Sequence, residues 1–314
     1  MPDLIKINGY TIARGQSVNI KLNSYRLPTR TDIEIPVSVF RSNKEGPVVL
    51  LLAGMHGDEI NGIEIIRQLI TKKYLNNLLC GTVIAIPIIN IISFIYGTRA
   101  LPDGRDLNRC FPGKISGSLG SRIAYDLMQE IIPQIDIGID FHTGGASRTN
   151  FPQIRCLFGS ELNLELAHYF GAPFILNSAY RDKSLRKEAA RIKKTILVYE
   201  GGESSRFDDF AISEGVKGCL RMLNGLQMID VEIDNNKSTI IDKTTWVRAT
   251  SAGLFHPNVK MGSLVMKGQL IGSISDPYGE FETKIKSPSK GYIIGQNNMS
   301  TCNKGDALIH IGME

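Results

Sequence analysis

Apolar and polar positions follow three different rhythms along the chain. Over residues 46–225, short continuous apolar runs alternate with stretches of helical spacing. Val48–Leu52, Thr82–Ile89, Ile135–Phe141 and Thr195–Tyr199 are runs of strand length, and they predict buried strands. Ile60–Tyr74, Ser121–Ile132, Leu162–Phe170, Leu185–Ile192 and Ser213–Asn224 carry apolar residues at helical spacing. The alternation predicts an α/β unit: a mixed, mostly parallel sheet flanked by helices. Residues 1–45 alternate weakly and carry turn residues, which predicts short strands leading into the core. From Trp246 onward glycine interrupts the apolar runs (Gly253, Gly262, Gly268, Gly272, Gly291, Gly295, Gly305) and no helical pattern survives. That region predicts a small all-β unit of tight hairpins. The polar stretch Met228–Lys243 reads as a linker, giving a main domain at 1–227, a linker at 228–243 and a C-terminal β domain at 244–314. Within the last, Lys267-Gly268 and Lys304-Gly305 stand in similar settings, as in the paired hairpins of lipoyl or biotinyl carrier domains.

Composition narrows the class. With 314 residues, 42% hydrophobic and 21% charged, the chain is an ordinary globular protein. No apolar run approaches the roughly 20 residues that span a bilayer, and the first residues lack the pattern of a signal peptide, so the expected location is the cytoplasm, away from membranes. Five scattered cysteines (Cys80, Cys110, Cys156, Cys219, Cys302) without a Cys-x-x-Cys fit reduced thiols. The net charge is +5, and residues 181–194 alone hold seven basic and two acidic residues. That stretch reads as a solvated helix face, or as a source of one arginine that faces an anionic substrate. No nucleic-acid motif accompanies it. Oligomeric state stays open, a homo-oligomer included.

Two apolar runs end in chemistry. After Val48–Leu52 comes Gly54-Met-His56-Gly-Asp-Glu59, at the carboxyl end of a strand where open α/β sheets place their sites. After Ile137-Gly-Ile-Asp140-Phe comes His142. An imidazole and a carboxylate three positions apart, plus a second imidazole, make the three-ligand set of a catalytic zinc site. Asp140 shares a strand face with His142 and could orient its imidazole, or form a cap or ion pair. The loop Arg99-Ala-Leu-Pro-Asp-Gly-Arg-Asp106-Leu-Asn108-Arg109 reads as an anion receptor or as a surface turn held by ion pairs. Glu200 ends the apolar run at 195–199 and is placed to act as a general base; as an isolated feature it is an ordinary turn residue. His168, His256 and His310 read as structural or surface residues.

Gly54-Met-His56-Gly-Asp-Glu59, Asp106-Leu-Asn-Arg109 with Phe-Pro-Gly113, Asp140-Phe-His142 and Glu200-Gly-Gly202, in that order, resemble the succinylglutamate desuccinylase/aspartoacylase family, relatives of the zinc carboxypeptidases. The resemblance implies a zinc carboxypeptidase-like fold with a C-terminal β domain similar to a barrel-sandwich hybrid. It implies one zinc ion per chain on His56, Glu59 and His142, Glu200 as base and proton shuttle, and Arg99 stabilising the oxyanion. Asn108 and Arg109 would hold a substrate carboxylate, joined by Arg186 or Arg191. The implied reaction is hydrolysis of an N-acyl amino acid or related small anionic acyl amide. A metallocarboxypeptidase acting on short peptides is the alternative, and a non-enzymatic carrier a third reading. The carrier reading meets an obstacle, because the hairpin at Asp276-Pro-Tyr-Gly279 has no lysine.

Overall fold

The structure is a computed structural model that describes residues 4–27, 29–234 and 236–314. A small hairpin, β1 (Ile5–Ile7) and β2 (Tyr10–Ile12), precedes two long strands, β3 (Ser17–Arg26) and β4 (Asp32–Arg41). Then follow β5 (Val48–Leu52), α1 (Asn61–Thr71), β6 (Thr82–Ile86), α2 (Ile91–Tyr96), α3 (Leu119–Asp126), β7 (Ile137–Gly144) and β8 (Arg148–Cys156). The α/β part closes with α4 (Glu161–Phe170), β9 (Phe174–Asn177), α5 (Leu185–Arg191), β10 (Thr195–Glu203) and α6 (Asp209–Gly225). Among the described residues the remaining elements are all strands: β11 (Thr239–Ile241), β12 (Lys243–Arg248), β13 (Gly253–Pro257), β14 (Leu264–Val265), β15 (Leu270–Ser275), β16 (Glu282–Lys286), β17 (Gly291–Asn297), β18 (Thr301–Cys302) and β19 (Ala307–Met313).

One large mixed sheet runs β12-β19-β17-β8-β10-β7-β5-β6-β4-β3. Its centre, β6-β5-β7-β10, is parallel, and antiparallel strands extend it on both sides. The central strands are buried on both faces, which is why they read as unbroken apolar runs. Successive residues feed opposite cores: Val49 and Leu51 pack with α1, α4 and α6, while Val48, Leu50 and Leu52 pack with α3, α5 and the first hairpin. Gly62 lets α1 lie close on β7, where a Cβ would come 2.4 Å from that of Phe141.

Several expectations shift in detail. β3 and β4 are ten residues each, not short strands, because Val18, Ile20 and Leu22 alternate against Ile33, Ile35, Val37 and Val39 over a long antiparallel ladder. The helix expected at 121–132 begins at Leu119, passes into a π-helical turn at Leu127–Ile131 and ends in a 3-10 turn. β8 and β9 fall where no strand was expected. Pro152 lies inside β8 and cannot donate to a ladder. The outer edge of β8 changes partner there: Arg148–Asn150 pair with β17, and Gln153–Cys156 pair with β9. Through that first pairing, strands that follow residue 290 join the sheet that carries the site. The polar stretch after Met228 contributes β11, which pairs with β9. Beyond β17 and β19, four short strands form a second sheet, β16-β15-β13-β18, around Phe255, Ile274 and Leu308. The two Lys-Gly positions are both turns with φ near +82° and +92° at Gly268 and Gly305.

Candidate active site

Strand register assembles the site. Phe141 and Tyr199 face the α1–α6 core, so Asp140, His142, Val198 and Glu200 face the other way. β7 and β10 pair with His142 beside Glu200. His56 and Glu59 come from the turn between β5 and α1. That turn starts at Gly54, with φ +63°, and presses Gly57 onto α2: a Cβ there would lie 1.9 Å from the Ser93 carbonyl carbon. A glycine is required between the two polar residues.

Glu59 is fully buried and stands between the two imidazoles. Its Oε1 is 2.8 Å from Nδ1 of His56, and its Oε2 is 2.8 Å from Nδ1 of His142. The Thr143 backbone N–H also donates to Oε2. The far nitrogen of each ring meets a second carboxylate: Nε2 of His56 is 3.0 Å from Asp106, and Nε2 of His142 is 2.9 Å from Asp140. An imidazole with its proton fixed at Nε2 turns a lone pair toward Glu59, and two acceptors do not approach to 2.8 Å without a proton or a cation between them. Burial alone would push both imidazoles down; the carboxylates on either side outweigh it and raise them, His142 the more strongly. Burial would likewise raise Glu59, yet His56 and His142 hold it well below the usual carboxylate range.

These donor atoms of His56, Glu59 and His142 lie within 4.8 Å of one another and can hold a metal ion. Carboxylates behind ligating imidazoles are the usual supporting arrangement. Arg99 supplies a cation at the same place, donating from Nη1 to Glu59 at 2.8 Å and from Nη2 to Asp106 at 3.0 Å. The donor set therefore fits a cationic metal.

Around this cluster lies a cleft of about 460 Å³. Glu200 lines it, with Oε2 accepting from Asn150 Nδ2 at 2.7 Å and Oε1 3.1 Å from Arg155. Asn108 and Arg109 also line it. The side-chain oxygen of Asn108 accepts from the Leu185 backbone N–H, so Nδ2 is its remaining donor group. Of the two competing arginines, Arg186 lines the cleft and Arg191 does not; Arg191 pairs with Glu188. Arg186 is buried, and its guanidinium donates to the carbonyls of Arg155, Ser178 and Ala179.

Sequence reading missed five contributors. Asp106 stood inside a quoted motif without a role. Asn150 and Arg155 belong to β8, whose pattern Pro152 breaks. Trp246 and His310 reach the cleft from β12 and β19, and nothing local in either run signals this.

Fold and site together define a mixed α/β protein with a metal-competent His–Glu–His cluster at the carboxyl edge of its parallel strands. Comparison with known proteins gives the family. Residues 45–226 match the succinylglutamate desuccinylase/aspartoacylase catalytic domain, and the chain belongs to that family. It is 29% identical over 292 residues to an N-alpha-acetyl-L-2,4-diaminobutyric acid deacetylase from Halomonas elongata, covering 88% of this chain and 84% of the relative. Among solved structures, a succinylglutamate desuccinylase/aspartoacylase from Rhodobacter sphaeroides superposes with a TM-score of 0.83 at 25% identity, over 95% of each chain. The product-bound ectoine utilization protein EutE (DoeB) from Ruegeria pomeroyi also gives 0.83, at 22% identity over 95% of each chain. Family and relatives indicate an enzyme of the deacylase or amidohydrolase type. No helix among the described residues is long and apolar enough to cross a membrane.

Proposed function

We propose that this chain is a zinc-dependent hydrolase that cleaves the amide bond of an N-acyl amino acid or a related small acyl amide, releasing a carboxylate and an amine. One observation carries the reading: two imidazoles, each backed by a carboxylate, converge on a buried glutamate beside a second glutamate at the end of the neighbouring strand.

His56, Glu59 and His142 would hold one zinc ion per chain. Zinc bound there supplies Lewis acidity toward the acyl oxygen and makes water a competent nucleophile near neutral pH. Glu200 accepts a proton from the attacking water and delivers it to the leaving nitrogen as the C–N bond breaks. Asn150 and Arg155 fix the carboxylate of Glu200 on the sheet face while it does so. Arg99 meets negative charge developing on the acyl oxygen. Asn108 and Arg109 take the substrate carboxylate. Arg186, its N–H groups engaged by carbonyls, adds positive potential to that part of the cleft. Asp140 and Asp106 hold the two imidazoles in the productive tautomer. The C-terminal residues 244–314 act as the wall-forming β domain, and the unpaired cysteines support a reducing, cytoplasmic setting.

The test is a screen of zinc-loaded full chain against N-acetyl, N-succinyl and N-formyl amino acids and peptides of rising length, reading amine release. Turnover of short N-acyl amino acids that falls away with peptide length, and is lost in Glu200→Gln with zinc retained, supports the reading. Preferred cleavage of peptides would make it a carboxypeptidase, and an active Glu200→Gln would sink the mechanism.

A further inference from the structure

The cleft has a wall that the chemistry above leaves unused. Trp246 on β12 and His310 on β19 are direct cross-strand partners. Their rings stack 4.5 Å apart and 5° from parallel. Arg148, the first residue of β8, places its guanidinium 5.7 Å from the Trp246 ring centre. All three line the same cleft as the His–Glu–His cluster.

Two polar atoms of this wall have no partner. Nε of Arg148 and Nδ1 of His310 are both buried and make no hydrogen bond. His310 as a whole is only 8% exposed. Buried polar groups are normally satisfied, so these two orphans mark unused bonding capacity in the wall behind its cleft-facing surface. Burial, with Arg155 nearby, pushes His310 down to about 3, so its ring is a neutral hydrogen-bonding group at ordinary pH.

The charge balance says what kind of ligand. The carboxylates that line the cleft are Glu59, Asp140 and Glu200. Glu59 is engaged by both imidazoles and Arg99, Asp140 by His142, and Glu200 by Arg155 and Asn150. Only Oδ1 of Asp140 is left without a hydrogen bond, and against these three carboxylates the same cleft is lined by six arginines: Arg99, Arg109, Arg148, Arg155, Arg181 and Arg186. Arg148, by contrast, has no ion pair with any described carboxylate. The wall is also rigid: His310 stands in register with Gly295, and Gly295 with Asn150, the residue that holds Glu200. Gly295 is what fits between them, since a Cβ there would come 3.1 Å from His310 Cβ and 3.2 Å from Asn150 Oδ1.

We propose that Arg148, Trp246 and His310 form a second anion subsite, which takes a further carboxylate of the substrate and disfavours a substrate carrying a free amine. The proposal rests on the amidohydrolase reading for the rest of the cleft. The guanidinium and the His310 ring supply the polar contacts, and the indole face covers the methylene chain that leads to the carboxylate. By this assignment the chain departs from what the name of its Halomonas relative states. An N-acetylated diaminobutyrate brings an ammonium to a wall that offers a guanidinium.

Trp246 is the single tryptophan of the chain, so its emission reports on the wall directly. The experiment titrates the zinc-loaded full chain with N-acetylglutamate, N-acetylalanine and N-alpha-acetyl-2,4-diaminobutyrate, following Trp246 fluorescence and, separately, amine release. N-acetylglutamate should change the emission saturably and bind more tightly than the other two. Arg148→Gln should weaken N-acetylglutamate about 10- to 100-fold, the range for losing a charge-assisted hydrogen bond, and leave N-acetylalanine unchanged. Arg148→Lys, which keeps the charge and guards against a folding defect, should fall between. Equal affinity of the wild type for the diamino and diacid ligands would overturn the subsite, as would Arg148→Gln weakening all three alike. Tight, Arg148-dependent binding without amine release would leave the subsite standing and remove the hydrolase reading. Amine release from N-acetylalanine with no preference for the diacid would do the reverse.

Discussion

Nδ1 of His142 lies 2.8 Å from Oε2 of Glu59, across 83 residues of sequence. The contact exists because β5 and β7 are parallel neighbours whose carboxyl ends both point to the same edge. Glu59 thereby becomes the common partner of two imidazoles, each pinned from behind by its own aspartate. Replacing either aspartate, as Asp106→Asn or Asp140→Asn, should keep the ligand set and lower zinc affinity about 10- to 100-fold. Competition with a chromogenic chelator measures this, and unchanged affinity in both variants would count against a metal role for the cluster.

Glu200→Gln should retain zinc and lose about 10²- to 10⁴-fold in kcat, the usual contribution of a positioned general base. Zinc content by mass spectrometry and steady-state rates on the same sample separate this from simple metal loss.

Arg99 donates to both Glu59 and Asp106 besides facing the cleft. Arg99→Ala should cost about 10²- to 10³-fold in kcat, as for removal of an oxyanion donor. The fold should survive, since the side chain is partly exposed. A thermal melt matching wild type, with the rate reduced, is the expected pair of results.

His310 gives a stability signature. Its unfolded imidazole takes up a proton near 6.5, while the folded one resists until about 3, because burial and then Arg155 oppose the charge. Between those values the unfolded chain binds more protons, so the contribution of His310 is present above pH 6.5 and is lost as pH falls toward 3. Urea midpoints taken from pH 7 to pH 4 should drop less steeply for His310→Gln than for wild type. Parallel curves would mean that the buried ring titrates normally.

Gly57→Ala tests the turn itself. The added methyl meets the Ser93 backbone, which cannot swing away like a side chain. Overpacking of this kind typically costs about 1–3 kcal/mol, and here it displaces His56 or α2. A lowered melting temperature together with reduced zinc content is expected; an unaffected variant would show that the turn relaxes freely.

Much of this site was legible because its parts end unbroken apolar runs. Val48–Leu52 and Ile137–Phe141 announce buried strands, and His56, Glu59 and His142 stand just beyond them. The supports were not legible, for a physical reason in each case. Asn150 and Arg155 sit on a strand that Pro152 interrupts. His310 and Trp246 look unremarkable within their own hairpins, and they gain meaning only from the pairing of β17 with β8, which joins residue 295 to residue 150. Long-range antiparallel register of this kind leaves no trace in local periodicity.

That pairing also imposes a sequence of events on synthesis. The ribosome delivers His56, Glu59, His142 and Glu200 well before Trp246 and His310. Chains fold from the amino end as they emerge, so under the proposed zinc reading His56, Glu59 and His142 would meet an ion while one flank of the cleft is still open to solvent. On that reading the wall would close beside an ion already seated. Loading during translation should accordingly be faster than loading of the finished protein.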